Sequence, residues 1–344
     1  MTWDVDYLRD NRDENMGFLS KTLLPDGTEI PGTNFDYNYL QHRKVDVVSS
    51  ALDFILPFEK YKITAGAKVS FTNTRNGINY DTSDPTLVQD DYFRYKEQIY
   101  ALYADYSREY SERFSMQLGL RMEHTCTTGI SEAKDTEDKH DYTRLFPTVY
   151  LLYSPTDGHA LNFSFSNRIS RPSQNMVNPF PFYQNKYTYA CGREDLKPSY
   201  TYNAELGYTL KNNFNVSAYY SYSDDVFFQV VDLDAETNVT SFLWENFMKT
   251  HAFGLNNSYT FRTKWLQAYA QHGVSYRRTT SSAVTTSPEE KGWAYDASLR
   301  NTFFFNEKKT LLATLSGSYS SRQYQGIYLM SPLTASVQVC FIGC

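Results

Sequence analysis

Residues 112–125 read ERFSMQLGLRMEHT, and within them Phe114, Met116, Leu118, Leu120 and Met122 are apolar while Ser115, Gln117, Gly119, Arg121 and Glu123 are not. Successive side chains on an extended strand point to opposite faces, so a period of two gives one oily face and one wet face. The same period returns at 62–72 (KITAGAKVSFT), 160–170 (ALNFSFSNRIS), 200–210 (YTYNAELGYTL), 214–222 (FNVSAYYSY) and 311–319 (LLATLSGSY). Helical periodicity appears nowhere at useful length. The expected fold class is therefore all-β and antiparallel, with about fourteen strands.

What the oily face meets follows from composition. Aromatic residues make up 17% of the chain, with 30 tyrosines and 23 phenylalanines, yet charged residues reach 21% and mean hydropathy is −0.55. The longest apolar-rich patch, SALDFILPF at 50–58, contains an aspartate, so no stretch is long enough for a membrane helix. A chain polar on average but rich in tyrosine fits a transmembrane β-barrel, whose lumen side is polar. The wet faces carry mainly Ser, Thr, Asn, Gln and Gly, where a soluble sandwich would display Lys and Glu. Tyrosine and tryptophan gather toward strand ends in DYFRYKEQIY, KGWAYDAS and TKWLQAYA, as interfacial girdles require.

Connections sort into two kinds that alternate along the chain. Short polar turns are expected at 58–61, 108–113, 154–159, 210–213, 261–264 and 306–309, and long connections at 11–41, 74–91, 125–141, 170–198 and 279–291. Short turns on one rim and long loops on the other are the asymmetry of outer-membrane barrels. Net charge is −6, which argues against a nucleic-acid partner. The start MTWDVDYLRD has neither the basic nor the apolar region of a signal peptide. Cys126, Cys191, Cys340 and Cys344 stand far apart with no C-x-x-C and no metal-spaced His-Cys cluster in the sequence. Cys126 and Cys191 could pair if their loops meet; unpaired thiols are the alternative.

Several segments in order carry a family resemblance. They are YKEQIYALYADYSREY (95–110), MQLGLRMEHT (116–125), RLFPTVYLLYSP (144–155), HALNFSFSNRISRPSQNMVNPF (159–180), residues 187–226 and GIYLMSPLTASVQV (326–339). From about residue 45 onward the chain resembles the barrel portion of TonB-dependent outer-membrane receptors, in the outer membrane protein β-barrel branch. Where that family usually writes Gly-Asn-Pro before Leu-Lys-Pro, this chain reads Gly192-Arg193-Glu194-Asp195-Leu196-Lys197-Pro198. A complete relative has a signal peptide, a plug domain filling the lumen and 22 strands. Residues 1–344 are therefore expected to be a partial barrel domain, lacking signal peptide and plug, with roughly six strands missing before Met1 and two after Cys344.

The resemblance implies import of a bulky nutrient of unspecified class across the outer membrane of a Gram-negative bacterium. Its partners would be outer-membrane lipid, the plug, the TonB energy-transducing complex and a surface lipoprotein. Two other readings stand beside it: a plug-less surface barrel serving as adhesin or scaffold, and, more remotely, an outer-membrane hydrolase. The loop rich in aromatics at 171–198 offers Arg171, Asn178, Tyr183, Tyr187 and Arg193 as a ligand-binding surface at the extracellular mouth. The structural alternative is that Pro172, Pro179, Pro181 and Pro198 only shape a loop packed on the rim. Arg121, Glu123, Arg168 and Glu205 fall on the inward parity and would face lumen or plug. The acidic stretches at 131–141 and 232–238 lack EF-hand spacing, and no metal site or cofactor is expected. None of the six histidines sits in G-x-S-x-G or H-E-x-x-H, so no catalytic residue is expected and the chain is not read as an enzyme.

Overall fold

The computed structural model describes residues 1–82, 90–330 and 336–343. Seven long strands come first: β1 (Thr2–Ser20), β2 (Phe35–Pro57), β3 (Lys62–Thr82), β4 (Asp91–Ser111), β5 (Phe114–Ser131), β6 (Thr136–Tyr153) and β7 (His159–Ser170). A one-turn helix α1 (Gln174–Val177) and two short strands, β8 (Phe182–Asn185) and β9 (Thr188–Cys191), interrupt the series. The meander resumes with β10 (Ser199–Leu210), β11 (Phe214–Asp234), β12 (Val239–Arg262), β13 (Leu266–Ser281), β14 (Glu289–Phe304) and β15 (Leu311–Ser320). A small hairpin, β16 (Gln323–Gln325) and β17 (Tyr328–Met330), precedes the last strand, β18 (Ser336–Gly343).

Antiparallel neighbours run in the order β1-β2-β3-β4-β5-β6-β7-β10-β11-β12-β13-β14-β15-β18, a wall of fourteen strands as the periodicity predicts. No described helix is long and apolar enough to cross a membrane. Among the described residues β1 pairs with β2 alone and β18 with β15 alone, so the wall is an open sheet with two free edges.

Register fixes which side chains share a face. Gly119 lies opposite Asp105 and Thr148, and Thr148 opposite Ser166, so the small polar residues form one continuous concave surface. Thr74, Asn76, Glu123, Thr125, Thr127 and Thr279 are buried on it. On the other face Leu118, Leu120 and Met122 are 39%, 50% and 42% exposed. Leu102 and Leu145, which flank Met122 across the ladder, are exposed as well. An apolar surface of this extent marks a face that is covered, and with a polar opposite face it fits the lipid side of an outer-membrane barrel.

The height of this surface matches a bilayer. On β14, Trp293 meets Phe253 edge-on at 5.7 Å, and Phe303 stacks on Trp265 at 6.5 Å. Residues 293 to 303 span about 33 Å of strand at about 3.3 Å per residue. At the usual barrel tilt of about 40° that stands about 25 Å tall, the thickness of the outward apolar band of such barrels.

The six short turns fall where the sequence places them. Most of the long connections do not. Residues 125–141, expected as a loop, are strand up to Ser131 and again from Thr136, leaving only 132–135 as the tip. Residues 11–41 shrink likewise to a connection at 21–34, and 279–291 to one at 282–288. Within 74–91, β3 continues to Thr82, and residues 83–89 lie outside the described residues, as does Cys344. Beyond the membrane both strand faces are wet, so apolar alternation stops while the hydrogen-bonded ladder continues.

Candidate functional site

The one long connection that remains, 171–198, folds back over the concave face. Its apolar side chains do the folding. Val177 and Leu196 are buried against Phe93, and Phe180 joins a cluster with Phe35, Tyr37, Tyr39 and Ile78. Phe180 stacks on Tyr80 at 5.5 Å, while Phe182 and Tyr183 meet Tyr39 and Tyr37 edge-on at 5.1 and 5.3 Å. β9 adds to the wall by parallel pairing with β12, Thr188 opposite Thr240 through Cys191 opposite Leu243.

Ionic contacts pin the start of the segment. Arg171 donates from Nη2 to Glu123 Oε2 at 3.0 Å and to Thr125 Oγ1 at 3.4 Å, and its Nε stands 3.8 Å from Glu97 Oε1. Glu123, 6% exposed, also accepts from Arg121 Nε at 3.1 Å. The segment is closed on itself by Gly192 N donating to Asn178 O at 2.9 Å and Arg193 N to Met176 O at 2.8 Å. Gly192 is required there, since an added Cβ would sit 2.7 Å from Met176 O. Burial pushes the thiol of Cys191 above its ordinary pKa, and that thiol donates to Pro179 O at 2.9 Å.

The sequence-predicted residues divide accordingly. Arg171 lines a cavity of about 330 Å³ together with Glu97, Tyr142, Arg144 and Lys197. Asn178 is buried and lines a second cavity of about 370 Å³ between segment and wall. Tyr183 packs into the aromatic cluster, whereas Tyr187 is exposed in the turn between β8 and β9. Arg193 is bound to Asp195 and Glu245 at 2.5 and 2.8 Å. Arg121, Glu123 and Arg168 share a third cavity, about 470 Å³, lower on the concave face. Glu205 pairs in register with Ser164 on the same face and makes no ion pair among the described residues. Cys126 and Cys191 are both free thiols.

One grouping escaped the sequence reading. His124, Cys126 and Asp141 bring an imidazole, a thiol and a carboxylate within 4.8 Å of one another on the outer face. The available signal was the His-x-Cys spacing, which on a strand puts both side chains on one side.

A family model described as "Outer membrane protein beta-barrel family" matches residues 1–338. Among solved structures the chain is similar to the copper transporter OprC, at 12% identity and TM-score 0.62, over 96% of this chain and 56% of that one. It is similar to the siderophore receptor PiuA from Acinetobacter baumannii, at 12% identity and TM-score 0.56, over 96% of this chain and 57% of that one. The receptor in the FpvAI–pyocin S2 complex matches at 13% identity and TM-score 0.55, covering 98% of this chain and 48% of that one. The chain thus spans about half the length of these structures. At such identities the likeness carries the fold. No curated protein matches the chain.

Proposed function

This chain belongs to the outer membrane protein beta-barrel family and lies in the outer membrane of a Gram-negative bacterium, and from that premise we propose that it is the barrel part of a TonB-dependent receptor importing a bulky nutrient. The plug and the rest of the wall are supplied outside these 344 residues in this reading, and strands of the complete barrel pair with β1 and β18. Backbone groups left open on two edges would be intolerable in hydrocarbon, which supports such completion. The solved neighbours are named as a copper transporter and a siderophore receptor, and this reading extends a role of that kind to the chain.

The observation that carries the proposal is the aromatic segment 171–198, folded over a polar concave face and fastened by Arg171 to Glu123. A channel wall needs no such cover. A receptor needs a surface that reads a ligand at the mouth and yields when the ligand is passed inward. Arg144, Arg171 and Lys197 around the 330 Å³ cavity offer donors to an anionic or carbonyl-rich ligand. A TonB-contacting plug below, and a surface lipoprotein above, complete the proposed machinery.

The test is uptake by cells carrying the intact gene, using labelled iron chelates, cobalamin, glycans and peptides, with and without an energised inner membrane. Energy-dependent uptake of one class, weakened by Arg171→Ala, supports the receptor. Energy-independent surface binding with no uptake of any class would make the protein an adhesin or scaffold instead.

A further inference from the structure

We infer that the outer face of the β5–β6 hairpin holds a divalent-cation site of the zinc class, built from His124, Cys126 and Asp141. The three side chains are placed by the ladder. His124 and Cys126 are two apart on β5, and Asp141 on β6 is the direct partner of Cys126. Cys126 Sγ lies 3.3 Å from His124 Nε2 and 3.9 Å from Asp141 Oδ2. A tetrahedral zinc with bonds of about 2.0–2.3 Å needs donor atoms about 3.3–3.8 Å apart. The sulfur–imidazole distance is at that spacing, the sulfur–carboxylate distance exceeds it by 0.1 Å, and all three donor atoms lie within 4.8 Å of one another.

The imidazole is oriented for the task. Its Nδ1 lies 2.9 Å from Thr143 Oγ1, the partner of His124 across the ladder, and donation from Nδ1–H to that hydroxyl leaves the Nε2 lone pair facing the sulfur. Orienting a ligating histidine through its other nitrogen is how protein metal sites fix the tautomer. The ring of Tyr100 packs 6.3 Å from the imidazole and limits its rotation.

Charge also balances. Binding forms one bond each to sulfur, nitrogen and oxygen, and releases the thiol proton of Cys126 to solvent. Thiolate and carboxylate then neutralise the dication, which suits a site directly above the apolar row of Met122 and Leu145. The Asp141 and His124 side chains are 69% and 40% exposed, so the fourth position opens to water. A mixed N, S and O donor set selects zinc over magnesium or calcium, which take oxygen. His124 and Cys126 line none of the cavities described above, whereas Asp141 also borders the 330 Å³ cavity, so the site adjoins the proposed ligand surface from the outer face.

The experiment is zinc titration of the intact protein in detergent, followed by calorimetry and by the rate at which maleimide modifies Cys126. With Cys191, Cys340 and Cys344 replaced by serine as background, zinc slows modification of Cys126 at least tenfold, and cobalt in its place gives a thiolate charge-transfer band. His124→Ala and Asp141→Asn each weaken zinc at least tenfold, and Thr143→Val weakens it about tenfold through the imidazole. All four positions are on the outer surface, and unchanged heat-modifiability of the barrel on gels verifies folding. Equal modification rates with and without zinc, or zinc affinity unchanged by His124→Ala in a folded barrel, would overturn the assignment.

Discussion

Replacing Glu123 by alanine isolates what fastens the inward segment. Glu123 is 6% exposed and accepts from Arg171 at 3.0 Å and from Arg121 at 3.1 Å. A hydrogen bond to a charged group contributes about 1.5–3 kcal/mol net. The Arg171 side chain is 22% exposed, so its bond to Glu123 falls in that range. Arg121 stands on the same strand as Glu123, so its bond persists when the segment opens and adds nothing to that cost. After the change, among the described residues, Arg171 keeps only Glu97, at 3.8 Å, as an ionic neighbour. The loss is about 1.5–3 kcal/mol, which at about 1.4 kcal/mol per tenfold raises opening of the segment roughly ten- to a hundred-fold. Hydrogen exchange reads this at the amides of Asn178, Gly192 and Arg193, which are bonded within the segment to Gln174, Asn178 and Met176. Those three amides exchange faster by that factor, while β5 amides such as Leu120 keep their protection. Unchanged exchange at the three would refute the ionic account and leave Val177, Phe180 and Leu196 as sufficient to hold the segment.

Phe180→Ala removes a ring 5% exposed and stacked on Tyr80, at a cost of about 3–5 kcal/mol. Its readout is faster maleimide labelling of Cys191, whose thiol burial now holds above its ordinary pKa. Gly192→Ala forces a methyl against Met176 O and the Asn178 backbone, and is expected to detach β9 from β12; loss of amide protection at Thr240, bonded to Tyr187 O at 2.7 Å, checks it. At the 21–34 connection, Asp26 accepts from Thr28 N at 2.9 Å, and that bond holds the carboxyl below its ordinary pKa. A depressed carboxylate pKa adds order to the turn above its unfolded value, and that order is lost as pH falls through the folded one. Exchange at the Thr28 amide, corrected for its intrinsic pH dependence, should therefore accelerate below about pH 4.

The wall was legible because bilayer and lumen impose opposite demands on alternate residues, as at 114–122. Its turns were legible because polar runs such as Leu210-Lys211-Asn212-Asn213 interrupt that alternation. Above the membrane the pattern goes silent: Cys126-Thr127-Thr128-Gly129 and Lys139-His140-Asp141 carry no oily face, though both stretches are strand. Reading 125–141 as loop also hid the register that sets Asp141 beside Cys126. The prolines at 172, 179, 181 and 198 mark the long segment, but its direction is set by a parallel pairing of β9 with β12 that no local signal encodes. Arg121 and Glu123 were legible as inward by parity. The partner that engages Glu123, Arg171, comes from 48 residues beyond it in the chain.

The central claim is that one face of this sheet meets lipid, and site-directed spin labels at positions 114 to 122 in the intact protein in membranes test it directly. Labels at Phe114, Met116, Leu118, Leu120 and Met122 are predicted to collide with lipid-soluble oxygen, and those at Ser115, Gln117, Gly119 and Arg121 with it far less. An oxygen profile without the period of two, or with its phase reversed, would contradict the account.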